Sequence, residues 1–314
     1  MTQEILLSVE NLSRSFDNHT AIHNLSFKIH RGEVVALLGT NGAGKSTALN
    51  VITGNLNPDA GNVQICNIDI FTKPKQAKNN LGYLPDTPPL YRELNVHEFL
   101  EFAARLHGIE RKLVKQSIEE VVDTCGLQSV QHKLISNLSK GYQQRVGIAQ
   151  AVIHHPALVI LDEPTIGLDP VQMQDIRTLL HKLSGDHSVL LSTHMLSEAE
   201  STCDRVLIIN KGELLLDQAL QDLNKNPRKR VKLRFRNNPT VEDLNSIAGC
   251  ESVSCSQYGN FVCRYNNTNF IQHVQTMALQ SNWQLDEIVP VASTLEQVFL
   301  GLVVRDSTTE NTSL

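Results

Sequence analysis

The stretch GTNGAGKST at residues 39–47 constrains the fold of this chain more than any other feature. Its Gly-x-x-x-x-Gly-Lys-Ser spacing is typical of a loop that cradles phosphate groups with its backbone N–H groups. The apolar run EVVALLG before the loop predicts a buried strand, and STALNVITG after it predicts a helix. A strand, this loop and a helix in that order place the N-terminus of the helix against a bound phosphate.

The composition is that of a globular protein long enough for two domains, with 314 residues, 41% apolar and 19% charged. The net charge of −5 gives no general attraction to nucleic acid, which is not an expected partner. No apolar run approaches the ~20 residues that span a bilayer, and the N-terminus does not resemble a secretory signal. The six cysteines include no C-x-x-C pair. We therefore expect a cytoplasmic protein that reaches a membrane only through a partner.

The remaining patterns predict an α/β fold in two domains. Alternating apolar residues in the first 30 positions predict an antiparallel β subdomain, ALVILD and SVLLST predict buried strands of a parallel sheet, and the pattern from about 90 to 155 predicts an inserted helical subdomain. The polar segment NKNPRKR predicts a linker, and the order β-α-β-β-α-β-α beyond it predicts a small C-terminal α+β domain. The predicted ranges are 1–224, 225–304 and a disordered tail at 305–314.

Further residues complete a site for phosphate chemistry. Lys45 would reach the β- and γ-phosphates, and the Ser46 hydroxyl would bind Mg²⁺. The buried strand LVILD ends in Asp162, which would hold the metal, and is followed by Glu163, which would orient or deprotonate the attacking water. The predicted nucleotide-binding residues of the loop are Gly39, Thr40, Asn41, Gly42, Ala43, Gly44, Lys45, Ser46 and Thr47.

A second anion site is predicted in SNLSKGYQQRVGIAQA at 136–151. Ser139 can cap a helix whose first N–H groups, including that of Gly141, point toward an anion. One bound ATP already has an anion site in the phosphate loop. A second anion site therefore indicates that this segment faces the γ-phosphate of the ATP bound by another subunit.

With these motifs, residues 5–220 resemble the ATPase subunits of ATP-binding cassette (ABC) transporters. GTNGAGKST resembles the Walker A loop, LVILDE the Walker B strand, LSKGY the signature and GLD at 167–169 the D-loop. The resemblance implies Mg²⁺-dependent ATP hydrolysis in a head-to-tail dimer, with His194 contacting the γ-phosphate and Phe16 stacking on adenine. It also implies an integral membrane permease as partner and a location at the cytoplasmic face of the inner or plasma membrane.

The chain departs from the family pattern at three places. Thr40 stands where proline is common, and Lys140 and Tyr142 replace a glycine and a glutamine of the signature. In LGYLPDTPPLY the family has glutamine where this chain has Asp86, which we expect to act as a metal ligand. The acidic residue and the ending VASTLEQVFLGLV resemble the subgroup of multidrug, sodium and gliding-motility exporters.

An exporter subunit is the favoured function, with two alternatives. A soluble cassette ATPase that acts on ribosomes would carry two phosphate loops. A cassette ATPase that acts on DNA would carry long coiled coils between Lys45 and Asp162. A GTPase would need N-K-x-D, and the nearest match is NKGE at 210–213.

The basic stretch RKRVKLRFRNN predicts a solvated strand face, with docking to lipid or to nucleic acid as alternatives. The transported substrate is not encoded in these patterns.

Overall fold

A computed structural model of the chain describes residues 4–17, 19–225, 229–237, 239–256, 260–267, 269–290 and 295–309. The chain divides into two compact units, Met1–Ala219 and Leu220–Leu314. This division lies close to the predicted linker NKNPRKR, whose residues 226–228 fall outside the described ranges. Within those ranges, no helix combines the length and the apolar character needed to cross a membrane.

The first unit begins with antiparallel strands and then alternates between strands and helices. Its strands are β1 (Ile5–Phe16), β2 (His19–His30), β3 (Val34–Leu38), β4 (Ala60–Ile65), β5 (Ile68–Asp69), β6 (Leu81–Leu84), β7 (Leu158–Asp162), β8 (Ser188–Thr193), β9 (Arg205–Asn210) and β10 (Glu213–Ala219). Its helices are α1 (Lys45–Ile52), α2 (Pro74–Lys78), α3 (Val96–Leu106), α4 (Val114–Thr124), α5 (Lys140–Val152), α6 (Pro170–Leu183) and α7 (Leu196–Thr202), with a 3-10 turn at Ile135–Asn137.

Six strands form the main sheet of this unit, in the order β10-β9-β3-β8-β7-β6. The strands from β9 to β6 are parallel, and β10 pairs with β9 in antiparallel orientation. Every residue of β3, β7 and β8 is buried. Parallel strands covered on both faces need apolar residues at consecutive positions, which explains the continuous apolar runs in the sequence.

The register of the parallel strands brings their carboxyl ends to one edge of the main sheet. Leu38 of β3 pairs with Thr193 of β8, and Asp162 of β7 pairs with Ser192 of β8. β6 runs in register beside β7. The segments that leave this edge carry the phosphate loop, Asp86, Glu163 and His194.

The predicted antiparallel strands at the N-terminus form a second sheet, in the order β2-β1-β4-β5. Its buried side chains, such as Val9 and Ile29, join one core with residues of the main sheet and of α1, such as Leu37 and Leu49. This shared core holds the N-terminal sheet beside the helix that follows the phosphate loop.

Helices α3, α4 and α5 form the inserted helical subdomain between β6 and β7. α3 begins with a capping box, in which Asn95 and Glu98 exchange side-chain to backbone hydrogen bonds of 2.9 Å. The sequence pattern places Phe102 and Leu106 on the same face as the buried Phe99, but both are exposed. Neighbouring residues therefore cover only part of the apolar face of α3.

The second unit is a four-stranded antiparallel sheet with helices, in the strand order β12-β13-β11-β14. The α+β domain predicted from the sequence is confirmed. Its elements are α8 (Leu220–Lys225), β11 (Lys229–Phe235), α9 (Val241–Asn245), β12 (Cys250–Ser256), β13 (Asn260–Tyr265), α10 (Phe270–Gln280), β14 (Leu285–Pro290) and α11 (Leu295–Thr309).

α11 extends into the segment 305–314, for which the sequence predicts a disordered tail. The helix reaches Thr309, since adding a residue to an existing helix costs far less free energy than starting a new one. Residues 310–314 lie outside the described residues.

The basic strand β11 alternates between a buried and a solvent-facing side, as the sequence predicts. Val231 and Leu233 are fully buried, whereas Lys232 and Arg234 lie on the other side. Each of these two cations has its charged nitrogen 3.9 Å from a carboxylate oxygen of Glu287 in β14. The positive charge of this face is thus partly offset within the second unit itself.

Candidate active site

The phosphate loop closes around the side chain of its own lysine. Lys45, the first residue of α1, donates hydrogen bonds from Nζ to the carbonyls of Gly39 at 2.8 Å and Thr40 at 3.3 Å. The Ala43 N–H donates to the same Thr40 carbonyl at 3.1 Å. The first N–H groups of a helix have no partner within it, so those of α1 remain for an anion.

The loop needs glycine at position 44 for two reasons. Gly44 has a left-handed φ of 103°, which side-chain-bearing residues rarely adopt. A Cβ atom at this position would also lie 2.5 Å from the carbonyl oxygen of Ala21 in β2. The glycine in the sequence motif is therefore required both by the backbone of the loop and by the approach of the N-terminal sheet.

Asp162 ends β7 in a buried position, and its Oδ1 has no hydrogen-bond partner among the described residues. Burial raises the pKa of its carboxyl, whereas the nearby hydroxyls of Ser192 and Ser46 lower it. The negative charges of Asp86 and Glu163 raise it further. A buried, unpartnered carboxylate oxygen beside a hydroxyl and further carboxylates fits Mg²⁺, which prefers oxygen ligands. The predicted metal ligands are thus chemically suited to the ion, and their assignment stays a prediction.

Glu163 follows β7 directly and pairs with His194, which follows β8. The Nδ1 of His194 lies 2.8 Å from Oε2 and 3.0 Å from Oε1 of Glu163. Because a carboxylate only accepts hydrogen bonds, this contact places a proton on Nδ1 and leaves Nε2 for another partner. The Glu163 N–H donates to the Ser192 carbonyl at 3.0 Å, and the backbone of Glu163 has a left-handed φ of 48°.

Glu163 also contacts the phosphate loop. Its Oε1 lies 3.5 Å from Nζ of Lys45, and the two side chains are only 12% and 6% exposed. The carboxylate is therefore enclosed between the lysine predicted to bind the terminal phosphates and the imidazole of His194. A water molecule beside those phosphates would lie within reach of the carboxylate.

Asp86 lies on the segment after β6, exposed to solvent. Its Oδ1 accepts a hydrogen bond from the Thr87 N–H at 2.7 Å. Burial raises the pKa of the neighbouring Tyr83 to about 12, and the charges of Asp162 and Asp86 contribute to this rise. The charge of Asp86 thus acts on both Tyr83 and Asp162, and the role of Asp86 as a metal ligand stays a prediction.

Phe16 ends β1 and exposes 43% of its surface. The guanidinium of Arg14 lies over its ring, with the central carbon 4.9 Å from the centroid. An aromatic ring at an exposed strand end is suited to stacking, and the predicted contact with adenine stays a prediction.

The signature residues lie at the N-terminus of α5, where Ser139 is the N-cap residue. A Cβ atom on Gly141 would lie 3.0 Å from the side chain of Gln172 in α6, and Lys140 packs over Gly167 of the predicted D-loop. Among the described residues, no hydrogen bond or ion pair joins this segment to the phosphate loop. The role of the signature in nucleotide binding therefore stays a prediction.

Two residues of this site are absent from the sequence-based prediction. Ser192 pairs with Asp162 in the parallel register, and its carbonyl accepts a hydrogen bond from the Glu163 N–H. Glu198 in α7 is fully buried. Burial raises the pKa of its carboxyl, and the negative charge of Glu163 contributes to this rise. No sequence pattern distinguishes Glu198 from Glu200, its exposed neighbour in the same helix.

The chain matches a protein-family model described as ABC transporter over residues 22–166. It is 38% identical to the ABC transporter ATP-binding protein YxlF of Bacillus subtilis, over 72% of this chain and 75% of that protein. It is 33% identical to the ABC transporter ATP-binding protein YdbJ of the same organism, over 95% of both chains. It is also 33% identical to the bacitracin transport ATP-binding protein BcrA of Bacillus licheniformis, over 73% of this chain and 75% of that protein.

Solved structures share the fold of the first unit. An ATP-binding subunit of an ABC transporter superposes with a TM-score of 0.63 at 32% identity, over 70% of this chain and 92% of that chain. The ATP-binding cassette MJ0796, solved as a dimer in a post-hydrolysis state with ADP and Pi, superposes with a TM-score of 0.62 at 26% identity, over 68% of this chain and 99% of that chain. These likenesses confirm the predicted fold class.

Proposed function

Because the chain belongs to the family of ABC transporter ATP-binding proteins, we propose that it powers an exporter by hydrolysing Mg²⁺-ATP at the edge of its main sheet. One observation carries the proposal: Glu163 is enclosed between Lys45 and His194, beside the buried Asp162. The relative named for bacitracin transport supports export. The relatives reported above give no support to the alternative of a ribosome-associated or nucleic-acid-associated ATPase.

In the proposed mechanism Lys45 changes partners when ATP binds. Its Nζ leaves the loop carbonyls and Glu163 and binds the β- and γ-phosphates. Glu163, released from the lysine, accepts a proton from the attacking water. His194 keeps its Nδ1–H on Glu163 and would need a second proton, on Nε2, to donate a hydrogen bond to the γ-phosphate. Bound Mg²⁺, held by Ser46, Asp162 and Asp86, would offset the negative charge of the phosphates.

The second half of each site is proposed to come from another copy of the chain. The capped N-terminus of α5, with Ser139 and the Gly141 N–H, would approach the γ-phosphate bound by the partner copy. The neighbour solved as a dimer with ADP and Pi supports a head-to-tail homodimer for this chain.

The integral membrane permease is proposed to dock on the helical subdomain. Tyr91, Phe102 and Leu106 are 52%, 43% and 74% exposed. The rings of Tyr91 and Phe102 meet edge to face with centroids 5.3 Å apart, and Leu106 lies one helical turn beyond Phe102. Exposed apolar clusters commonly mark contact surfaces. Docking there would hold the chain at the cytoplasmic face of the inner or plasma membrane without direct binding to lipid.

The phosphate loop provides the first test of the proposed function. Lys45→Ala should weaken ATP binding about 10- to 100-fold, since hydrogen bonds to charged groups contribute roughly 1.5–3 kcal/mol. The measurement is equilibrium titration with ATP. Lys75→Ala, which removes an exposed lysine of α2, should bind ATP as the wild type does. Equal affinity for ATP in the wild type and in Lys45→Ala would show that the phosphate loop does not bind the nucleotide.

Asp86 provides a test of the proposed metal site. Asp86→Asn should weaken the Mg²⁺ dependence of ATP hydrolysis, because it removes a full negative charge near the metal. ATP binding without metal should be unchanged or tighter in this variant. Asp86→Gln restores the residue usual in the family and should keep most of the activity. The measurement is the ATPase rate against Mg²⁺ concentration for the three proteins. Superimposable curves would show that Asp86 lies beyond the reach of the metal.

A further inference from the structure

The hairpin formed by β1 and β2 ends beside the phosphate loop. Phe16, the last residue of β1, pairs with His19, the first residue of β2. Ala21 follows two positions later, and its carbonyl oxygen approaches Gly44 so closely that a Cβ atom on this glycine would lie 2.5 Å away. The ring of Phe16 therefore stands near a nucleotide whose phosphates occupy the loop.

β1 is irregular where it approaches this end of the hairpin. Its register with β2 shifts between Leu12 and Arg14, and again between Arg14 and Ser15. Its register with β4 also shifts in this part of the strand. Such bulges interrupt the regular hydrogen-bond ladder and change the direction of nearby side chains. The direction of the Phe16 ring therefore needs support from side chains as well as from backbone pairing.

Asp59, directly before β4, fixes this part of β1. Its Oδ2 accepts a hydrogen bond from the Ser15 N–H at 2.7 Å, and its own N–H donates to the Ser13 carbonyl at 2.9 Å. Its Oδ1 accepts a third hydrogen bond, from Nη1 of Arg14 at 2.7 Å. A single exposed ion pair adds little to stability. Here two backbone contacts already fix the aspartate, so its carboxylate is a preorganised anchor for the guanidinium.

The anchored guanidinium of Arg14 lies over the ring of Phe16. Its central carbon is 4.9 Å from the ring centroid, within the ~6 Å range of a cation–π contact. The Nε of Arg14 is buried and has no hydrogen-bond partner among the described residues. Arg14 thus occupies one face of the ring, while 43% of the surface of Phe16 stays exposed. With Arg14 in this position, a nucleobase can stack only on the opposite face.

We propose that Arg14, held by Asp59, is a positioning residue for ATP binding, which supports one face of the Phe16 ring and so presents the other face to adenine. The inference rests on the proposed function, since Phe16 is the residue predicted to stack on the adenine of ATP. A ring that is held before ATP binds loses less conformational freedom on binding, which raises the affinity. The contacts of Lys45 with the phosphates would not depend on Arg14.

The test compares ATP with inorganic tripolyphosphate, which carries no base. Arg14→Met removes the charge and the donors, and it should weaken ATP binding about three- to tenfold, a part of what a stacked base contributes. Its affinity for tripolyphosphate should stay within about twofold of the wild type, because this ligand has nothing to stack on the ring. Both affinities are measured by calorimetric titration without Mg²⁺, so that ATP is not hydrolysed.

Two results of this titration would overturn the proposal. The first is a wild-type affinity for ATP in Arg14→Met. The second is an equal loss of affinity for both ligands, which would mean that Arg14 contacts the phosphates. Arg31→Met is the matched control, since it removes an exposed arginine whose Nε lies 2.6 Å from a carboxylate oxygen of Glu4. It should bind both ligands as the wild type does.

The anchor has a test of its own. Asp59→Asn keeps the size of the side chain but replaces one of the two acceptor oxygens with a donor, so it cannot accept from both Arg14 and Ser15 in the same way. It should weaken ATP binding about two- to fivefold, again with the affinity for tripolyphosphate unchanged. A wild-type affinity for ATP in this variant would overturn the role of Asp59 as the anchor of Arg14.

A second comparison shows whether Arg14 acts through the ring. In a Phe16→Leu background, adding Arg14→Met should change the ATP affinity by less than about twofold, because mutations that act through one contact are not additive. The same loss in both backgrounds would overturn the proposal. In steady-state hydrolysis, Arg14→Met should raise KM for ATP and keep kcat within about twofold, since the reacting groups are unchanged. A lower kcat at an unchanged KM would also overturn it.

The outcome also separates this inference from the proposed function. If Lys45→Ala loses affinity for ATP and Arg14→Met does not, only the role of Arg14 is wrong. If Lys45→Ala binds ATP as tightly as the wild type does, the proposed nucleotide site itself is wrong, whatever the Arg14 variants show.

Discussion

Replacing Glu163 with glutamine is expected to stop ATP turnover while ATP binding persists. Glu163→Gln keeps the size of the side chain but removes the carboxylate that would accept a proton from water. We expect kcat to fall about 100-fold or more, since general-base catalysis contributes roughly 10²–10⁴-fold. The variant also removes the negative partner that lies 3.5 Å from Nζ of Lys45. The affinity for ATP should therefore be unchanged or higher.

Two measurements check this expectation. Phosphate release under steady-state conditions gives the turnover, and size-exclusion chromatography with Mg²⁺-ATP should show a dimer that persists because it cannot hydrolyse its nucleotide. Glu119→Gln, which changes an exposed carboxylate of α4, is the matched control and should behave as the wild type does. If Glu163→Gln turns over ATP near the wild-type rate, Glu163 is not the general base.

The composite site predicts complementation between two inactive variants. Ser139→Arg blocks the signature at the N-terminus of α5, and Lys45→Ala disables the phosphate loop. In a heterodimer, the intact loop of the first chain faces the intact signature of the second, so one of the two sites works. For free exchange of equal amounts, half of the dimers are mixed, and the activity should return to about a quarter of the wild-type rate if sites work independently.

A third variant makes this test specific. Glu163→Gln and Lys45→Ala both damage the half of the site that belongs to the phosphate-loop chain. Their heterodimer therefore has no intact site, and we expect no activity from this mixture. Differently tagged chains establish that heterodimers form in each case. Heterodimers of Ser139→Arg with Lys45→Ala that remain inactive would contradict the proposed placement of the signature opposite the phosphate loop.

Much of the fold follows from local patterns in the sequence. The apolar runs VVALL and LVILD become fully buried strands, and the alternating residues of β11 face opposite sides of its sheet. The family membership inferred from the motifs is confirmed by the relatives. These features are predictable because each depends on residues that are close together in the sequence.

The contacts inside the site are less predictable, because they join distant parts of the chain. Lys45 meets Glu163, and Glu163 meets His194, only after β3, β7 and β8 have paired in one register. The exposure of Phe102 depends on how much of α3 its neighbours cover, which the helical pattern alone does not specify.

The left-handed backbone of Glu163 has a consequence for how this protein can be improved. A residue with a side chain in that conformation costs ~1–2 kcal/mol, whereas glycine adopts it without strain. At this position the backbone conformation favours glycine, whereas the contacts with Lys45 and His194 and the proposed chemistry need the carboxylate. A search for heat-resistant variants that scores only folding rewards the relief of this strain by glycine at position 163 and does not register the loss of ATP hydrolysis. Thermal selection of this protein must be coupled to a screen for ATP turnover.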